Sequence, residues 1–460
     1  MEFDELKCFL GDRLTTSKAI RLEHSQDESW HLPKNIPDAI TYPETSEEVS
    51  KIIKFASKNN IPVIPFGTGT ALEGHIHALK GGITINSSKM NKIIELNNSD
   101  MDCRVQAGVT RKELNDYIRD TGLFFPVDPG ANASIGGMCA TRASGTTTVK
   151  YGTIREQVMG LEVVMPDGKI IKTGTRARKS AAGYDLSHLM LGSEGTLGFI
   201  TEINLKLHGR PEAISAGVCT FKDLKGAIDT VIESIQVGLP LSRIELLDEV
   251  QIKAINQYKK VSHEIGPTLF VEIQGMPLSV KEQSEIFRDI AEANNILKFQ
   301  WSDRSEEIEV LWSARHDAYY AALALAPGKK AFTTDICVPI SNLTDCIIET
   351  KKDIEQSNII APIVGHVGDG NFHLIMLLDP ENKKEVSEAK QLNDKLVNRA
   401  LKMEGTSTGE HGIGIGKKEF LKSEQGLSVE IMSQIKKAID PKNIMTVSYT
   451  HLTLPTTPYV

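Results

Sequence analysis

Four loops rich in Gly, Ser and Thr, at 67–70, 128–137, 141–146 and 192–198, recur through the first half of the chain, following strand-like runs. Backbone N–H groups in such loops, uncrowded by side chains, form nests that suit a pyrophosphate. Small residues also let a flat ring lie against the backbone. A single loop of this kind marks only a turn. Four in one domain narrow the choice of fold, because no Gly-x-Gly-x-x-Gly opens a helix and no Walker lysine follows one. The pattern predicts a large dinucleotide held outside a Rossmann fold.

The surrounding elements fit an α+β fold. Residues 1–34 read as a short helical lead with a polar linker, and a β-α-β rhythm starts at Ile40. Thr45 and Glu48, then Thr110 and Glu113, have capping-box spacing, and Gly122 is placed to end the second helix. Short strands are predicted at 83–86, 93–96 and 103–107, and Pro166-Asp-Gly168 reads as a hairpin between 161–165 and 169–173. Near Pro211 longer helices appear, at 277–294, 305–325, 341–357 and 382–404, between strands at 268–274, 331–338, 361–366 and 372–378. This divides the chain into a lead (1–34), a first domain (35–210) and a second α+β domain (211–445). Residues 446–460 lack Asp, Glu, Lys and Arg and continue no motif, as a frameshifted tail would.

A chain of 460 residues allows roughly two or three domains. Net charge is −8 with no basic block, which excludes the electrostatic footprint of a nucleic-acid binder. The six cysteines form no Cys-x-x-Cys pair and no iron–sulfur spacing, so reduced thiols in the cytoplasm are expected. The acidic N-terminus has no signal-peptide core, and no apolar run approaches a membrane span. Attachment to a membrane surface through a partner stays open.

The chemistry concentrates at Gly365-His-Val-Gly-Asp-Gly-Asn-Phe-His373 and Glu410-His411-Gly412. Strand alternation turns Asn371 and His373 to one face. His366, His373 and Glu410 make a ligand set for a divalent ion with open positions, and zinc, manganese and iron all accept it. His411 beside them could move protons. Scattered core or surface histidines are the plainer reading. In the helix predicted at 305–325, Arg315 shares an apolar stripe with Ile308, Leu311, Trp312, Tyr319 and Ala322. It needs an anion there, either an internal carboxylate or a substrate carboxylate held by a bidentate clamp. A metal-dependent hydrolase could use the same His/His/Glu set, but it leaves the glycine loops without a task. A non-catalytic metal or nucleotide module leaves His411 and Arg315 without one.

The combination of Ile64-Pro-Phe-Gly-Thr-Gly-Thr70, Phe125-Pro-Val-Asp-Pro-Gly-Ala131, Lys179-Ser-Ala-Ala-Gly-Tyr184 and Gly192-Ser-Glu-Gly-Thr-Leu-Gly198 with Ala314-Arg-His-Asp-Ala-Tyr-Tyr320 and the two histidine segments is specific. From about Ile36 to Met445 the chain resembles FAD-linked oxidases of the vanillyl-alcohol-oxidase (PCMH-type) fold. Within them it is similar to the cytochrome-linked FAD-dependent D-lactate dehydrogenase and glycolate oxidase FAD-subunit family. The resemblance implies a PCMH-type FAD-binding domain of two α+β subdomains and a C-terminal α+β cap with an antiparallel sheet.

It also implies roles. Phe66, Gly67, Thr68, Gly69, Thr70, Asp128, Pro129, Gly130, Ser134, Gly137, Thr141, Ser144, Gly145, Glu194, Gly195 and Ile200 would line the flavin site. His366, His373 and Glu410 match metal ligands, His411 the base, Arg315 the carboxylate anchor and Asn371 a substrate-orienting group. The reaction implied is hydride transfer from a small D-2-hydroxy acid, D-lactate first, to FAD. Electrons would then pass to a cytochrome, a quinone or an electron-transfer flavoprotein, and an oligomer is compatible. Thr70 stands where covalently flavinylated relatives carry histidine, so FAD is expected to be non-covalent. Relatives that oxidise 2-hydroxyglutarate place a lysine in the strand reading Ala331-Phe-Thr-Thr-Asp335 here, which favours a monocarboxylate, with glycolate or D-2-hydroxybutyrate next. Two further departures are Gly74-His75, where relatives often have Gly-Gly, and the missing Asn-Pro-Gly-Lys ending after Met445.

Overall fold

A computed structural model describes residues 3–446, so the expectation of a frameshifted tail falls almost wholly outside the described residues. The chain forms two compact units, each discontinuous in sequence. One comprises the chain up to Ala143, Thr153–Gly209 and the stretch from Glu410 onward. The other comprises Ser144–Gly152 and Arg210–Gly409.

The first unit holds two α+β subdomains. Its smaller sheet runs in the order Leu14–Thr15, Ala39–Thr41, Ile83–Asn86, Val63–Phe66, with the last three mutually parallel neighbours. The helix Ser46–Asn59 makes the connection that parallel strands require. Its Val49, Ile52, Ile53 and Ala56 are fully buried against Val63, Ile83 and Ile85. Thr45 caps this helix by accepting the Glu48 N–H at 3.2 Å. The reciprocal half of the expected box is not made. The Glu48 carboxylate instead takes a bidentate bond from Arg13, at 2.5 and 2.6 Å, and the Glu44 N–H. The charge-assisted fork from Arg13 holds the carboxylate away from the Thr45 N–H. The box at Thr110 and Glu113 is complete. Val63 also pairs with the returning end of the chain, bonding Ile444 O at 2.7 Å and accepting from Thr446.

The second sheet of this unit is antiparallel, ordered Ile93–Asn97, Asp102–Gln106, Phe199–Lys206, Val158–Val164, Ile170–Lys172. The hairpin expected at Pro166-Asp-Gly168 closes with Met165 and Lys169 bonded, and Gly168 has φ +78°.

The other unit is built on an antiparallel sheet. It is ordered Ile296–Ser302, Ala213–Phe221, Thr268–Gly275, Leu241–Leu247, Ile363–Gly365, Asn371–Leu378, Lys330–Thr333, with Ile336–Cys337 also on Asn371–Phe372. Ala213–Phe221 and Leu241–Leu247 have almost no exposed positions, so they lack the period-two alternation that reveals a one-faced strand. The helix expected over 305–325 is two helices, Ser305–His316 and Ala318–Ala324, broken at Asp317, whose carboxylate is bonded by Lys259. The strand expected at 331–338 is likewise interrupted at Thr334 and Asp335, both fully buried.

Candidate active-site groups in the two units

In the antiparallel unit, Asn371–Leu378 lies between Ile363–Gly365 and Lys330–Thr333, and all its residues are buried. Ile375 and Leu377 face the apolar cluster that contains Phe270 and Trp312, and alternation puts Asn371 and His373 on that same side further along. His366 lies at the end of the neighbouring strand, and the two imidazoles meet edge to face with centroids 5.6 Å apart.

Each ring is fixed through Nδ1. His366 Nδ1 is 2.7 Å from Glu245 Oε1, and His373 Nδ1 is 2.9 Å from the Thr334 carbonyl. Carboxylate and carbonyl oxygens only accept, so each Nδ1 is the donor, and Nε2 is the nitrogen of each ring that can carry a lone pair. That is the arrangement by which a second layer orients metal-binding histidines.

Arg315 meets an internal carboxylate. Its Nε and Nη2 bond Glu245 Oε2 at 3.0 and 2.5 Å, while Nη1 bonds no protein group among the described residues. Glu245 is 1% exposed and joins the arginine to His366. Asn371 gives its amide hydrogens to Asp335 Oδ1 (2.9 Å) and Ile336 O (2.7 Å). The Asp335 carboxylate also accepts from Thr408. Gly409 passes so close that a Cβ there would lie 2.4 Å from the Asn371 amide nitrogen. Glu245, Asp335 and Thr334 are the groups that sequence reasoning missed. None belongs to a motif, and only the strand pairing brings them to the histidines.

In the other unit, the glycine loops at 67–70, 128–137 and 192–198 converge on the helix Ile135–Thr141. Gly67 packs on Ser134, which caps Ile135–Thr141 by accepting the Gly137 N–H, and Thr141 bonds back to Gly137 O. Glu194 N–H bonds Ala140 O at 2.8 Å, and Gly195 lies against Pro65. Gly67, Ser134, Gly137 and Thr141 are therefore neighbours, Glu194 and Gly195 lie against Ala140 and Pro65, and Phe66 and Thr68 to Thr70 flank Gly67 in the chain. Asp128 is buried, Pro129 and Gly130 follow it in the same loop, and Ile200 is the second residue of the long strand Phe199–Lys206. Ser144 and Gly145 belong to the short excursion that folds with the antiparallel unit.

The chain from Glu410 to Lys417 returns to this unit as a loop. His411 Nδ1 faces Glu73 Oε1 across 4.0 Å, and its Nε2 is 3.8 Å from Glu410 Oε1. Lys417 Nζ is 3.0 Å from the same Glu73 oxygen. Behind the loop, His75 Nε2 is 3.3 Å from Glu194 Oε2, and His77 Nε2 is 3.6 Å from Asp27 Oδ1. Burial opposes the His75 imidazolium, but the Glu194, Asp27 and Glu73 carboxylates outweigh it and hold its pKa above the ordinary value. Burial likewise pushes Asp27 up, and hydrogen bonds from His77 and Ser29 reverse this to a net lowering.

Comparison with known proteins finds two families along the chain. Residues 37–174 match the FAD binding domain family, and residues 210–446 match the C-terminal domain of FAD linked oxidases. The chain is 48% identical over 440 residues to a probable mitochondrial D-lactate dehydrogenase of Danio rerio, covering 95% of this chain and 88% of that protein. It is 45% identical to a mitochondrial D-lactate dehydrogenase [cytochrome] of Arabidopsis thaliana, with 96% and 78% covered. It is 32% identical to the glycolate oxidase subunit GlcD of Bacillus subtilis, with 93% and 92% covered. The fold matches that of 4-ethylphenol oxidase from Gulosibacter chungangensis at a TM-score of 0.80 and 17% identity, covering 96% of this chain and 95% of that one. The chain belongs to the FAD-linked oxidase family and is an FAD-dependent oxidoreductase of PCMH-type fold.

Proposed function

We propose that this protein oxidises D-lactate to pyruvate with non-covalent FAD and a divalent metal ion. The observation that carries the reading is the pair of imidazoles fixed through Nδ1, which makes Nε2 the basic nitrogen of each, in a chain of this family. FAD, when bound, would supply the acceptor for the hydride of the substrate Cα. A divalent ion, when bound, acts as a Lewis acid that makes the α-hydroxyl easier to deprotonate.

The protein groups do the rest. His366, His373 and Glu410 would hold the ion, the histidines through Nε2, and the converging loops at 66–70, 134–141 and 194–195 would hold the flavin through their backbone, not through the Glu194 side chain. His411 accepts the hydroxyl proton, and its Nδ1 faces Glu73 so that the charge it gains meets a carboxylate. Arg315 offers Nη1 to the substrate carboxylate while Glu245 fixes the rest of the guanidinium, which orients Cα. Asn371, with its amide hydrogens spent, orients the site through its carbonyl and its hold on Asp335.

Substrate size follows from Thr333 and Thr334, which supply no charge for a second carboxylate. Glycolate is the second reading, favoured by the similarity to the Bacillus subtilis subunit. Electrons leave to a cytochrome, with a quinone or electron-transfer flavoprotein as alternatives. The protein works in the cytoplasm, with attachment to a membrane surface through a partner compatible with this reading. Among the described residues no helix is long and apolar enough to cross one.

The purified protein should be yellow and should bleach under anaerobic conditions on adding D-lactate, faster than with glycolate and far faster than with D-2-hydroxyglutarate. Acid precipitation should release the flavin from the polypeptide. A colourless protein, or equal rates with the dicarboxylate, would overturn the proposal.

A further inference from the structure

We propose that Glu194 is a positioning residue for His411, acting through the turn at 412–414. The proposal rests on the reading of His411 as the base. Both oxygens of Glu194 are committed to that turn: Oε1 accepts the Ile413 N–H at 2.7 Å and Oε2 accepts the Gly414 N–H at 3.0 Å. Consecutive backbone N–H groups make a nest suited to an anion, and here a side-chain carboxylate of the same unit fills it. The nest forms only because Gly412 has φ +82°. A Cβ at Gly412 would lie 2.7 Å from Glu194 Oε1 and 2.9 Å from His75 Nε2.

Glu194 is held as firmly as it holds. Its own φ is +51°, a left-handed conformation that a residue with a Cβ adopts only when its surroundings impose it. Its N–H is bonded to Ala140 O, and buried His75 reaches Oε2. A second clamp acts on the far end of the loop, where Ile415 N–H bonds Glu73 O at 2.9 Å and Lys417 pairs with the Glu73 side chain. His411 therefore sits at the head of a loop whose backbone is fixed by two buried carboxylate residues. Each Glu194 oxygen already accepts a backbone N–H, so a flavin ribityl hydroxyl would have to share it, and an anionic phosphate would be repelled.

The test compares wild-type holoenzyme with Glu194→Gln and Glu194→Ala. Three quantities are read: flavin content, anaerobic bleaching by D-lactate, and hydrogen exchange of the amides at 411–415. The alanine variant should bleach about 100-fold more slowly at saturating D-lactate, as a loosened reacting group does. Glutamine keeps the shape and one acceptor, and should lose about 10-fold. The half-saturating D-lactate concentration should stay within about twofold, because the substrate anchor lies elsewhere. Flavin content should be unchanged, and exchange at Ile413 and Gly414 should quicken by at least about 10-fold.

Wild-type rates in both variants would overturn the proposal. So would flavin loss in proportion to lost rate, which would assign Glu194 to the cofactor. Wild-type exchange rates in the alanine variant would also overturn it. If the wild-type protein is not bleached at all, the oxidation reading falls on its own. The positioning role of Glu194 in catalysis falls with it, and the exchange data alone decide whether the residue holds the turn.

Discussion

Replacing Glu245 should have two separable consequences, because each of its oxygens serves a different partner. Oε2 takes two bonds from Arg315, and Oε1 takes the bond from His366. The pair is deeply buried, with side-chain exposures of 11% for Arg315 and 1% for Glu245. Removing one member of such a pair leaves a charge without its counterion, a cost of about 3–5 kcal/mol. Glu245→Ala should therefore destabilise the antiparallel unit by about 3 kcal/mol, the lower end applying because Arg315 keeps some access to water. Arg315→Met alone should be costly for the same reason. The double variant should fall short of the sum by at least about 1 kcal/mol, since it removes the charge that either single change strands. Urea unfolding in the presence of a chelator measures this, followed by tryptophan fluorescence. Two of the three tryptophans, Trp301 and Trp312, belong to this unit. The second consequence is on metal. Glu245→Gln keeps the shape but weakens the fix on His366 Nδ1, and affinity should drop by about 10–100-fold in direct titration with zinc or manganese. Additive destabilisation in the double variant would refute the ion-pair reasoning. Unchanged metal affinity, in a protein whose wild type binds the ion, would refute the orienting role.

Other outcomes follow from the same geometry. His411→Ala should abolish D-lactate-dependent bleaching while the protein stays yellow, and normal turnover would remove His411 from the role of base. Burial, with Lys206 and Arg178 nearby, pushes the His208 pKa down to about 4. The unfolded chain takes up that proton near the ordinary value of 6.5, so stability contributed by neutral His208 is complete above that pH and is lost as pH falls toward about 4. With solvent screening of this half-buried ring the loss should be roughly 1–2 kcal/mol, and His208→Gln should flatten it in unfolding measured between the two pH values. Thr110→Ala breaks the complete capping box and should cost about 1 kcal/mol, read from the urea midpoint. Phe372 is fully buried on the face of the histidine-bearing strand opposite His373, and Phe372→Ala should cost about 3–5 kcal/mol in the same assay, with metal affinity falling alongside.

Much of the fold was legible because local signals and tertiary burial agreed. The helix at Ser46–Asn59, the box at Thr110 and the hairpin at 166–168 each carry short-range chemistry that the structure uses. Ala213–Phe221 and Leu241–Leu247 were not legible, since a strand covered on both sides shows no alternation. The break at Asp317 was hidden for the opposite reason. The apolar stripe continues across it, while a bond from Lys259, distant in sequence, stabilises the carboxylate where the helix stops. The excursion of Ser144–Gly152 into the other unit follows from contacts no local pattern announces.

The same division runs through the candidate site. His366, Asn371, His373, Glu410 and His411 stand in glycine-rich motifs, because groups that approach a ligand need cleared backbone beside them. The acceptors that orient them come from elsewhere: Glu245 lies 121 residues from His366, and Thr334 lies 39 residues from His373. Such an acceptor needs only to be an oxygen on the right strand, and any carbonyl or carboxylate can fill that place. Arg315 is the sharpest case. Its apolar stripe revealed that an anion must meet it but left two anions open, and the structure supplies an internal one that still leaves Nη1 for a second. A buried arginine therefore does not have to choose between a structural and a substrate carboxylate. The internal partner fixes the guanidinium plane beforehand, so a substrate carboxylate docking there, as proposed, would surrender less entropy to use the remaining nitrogen.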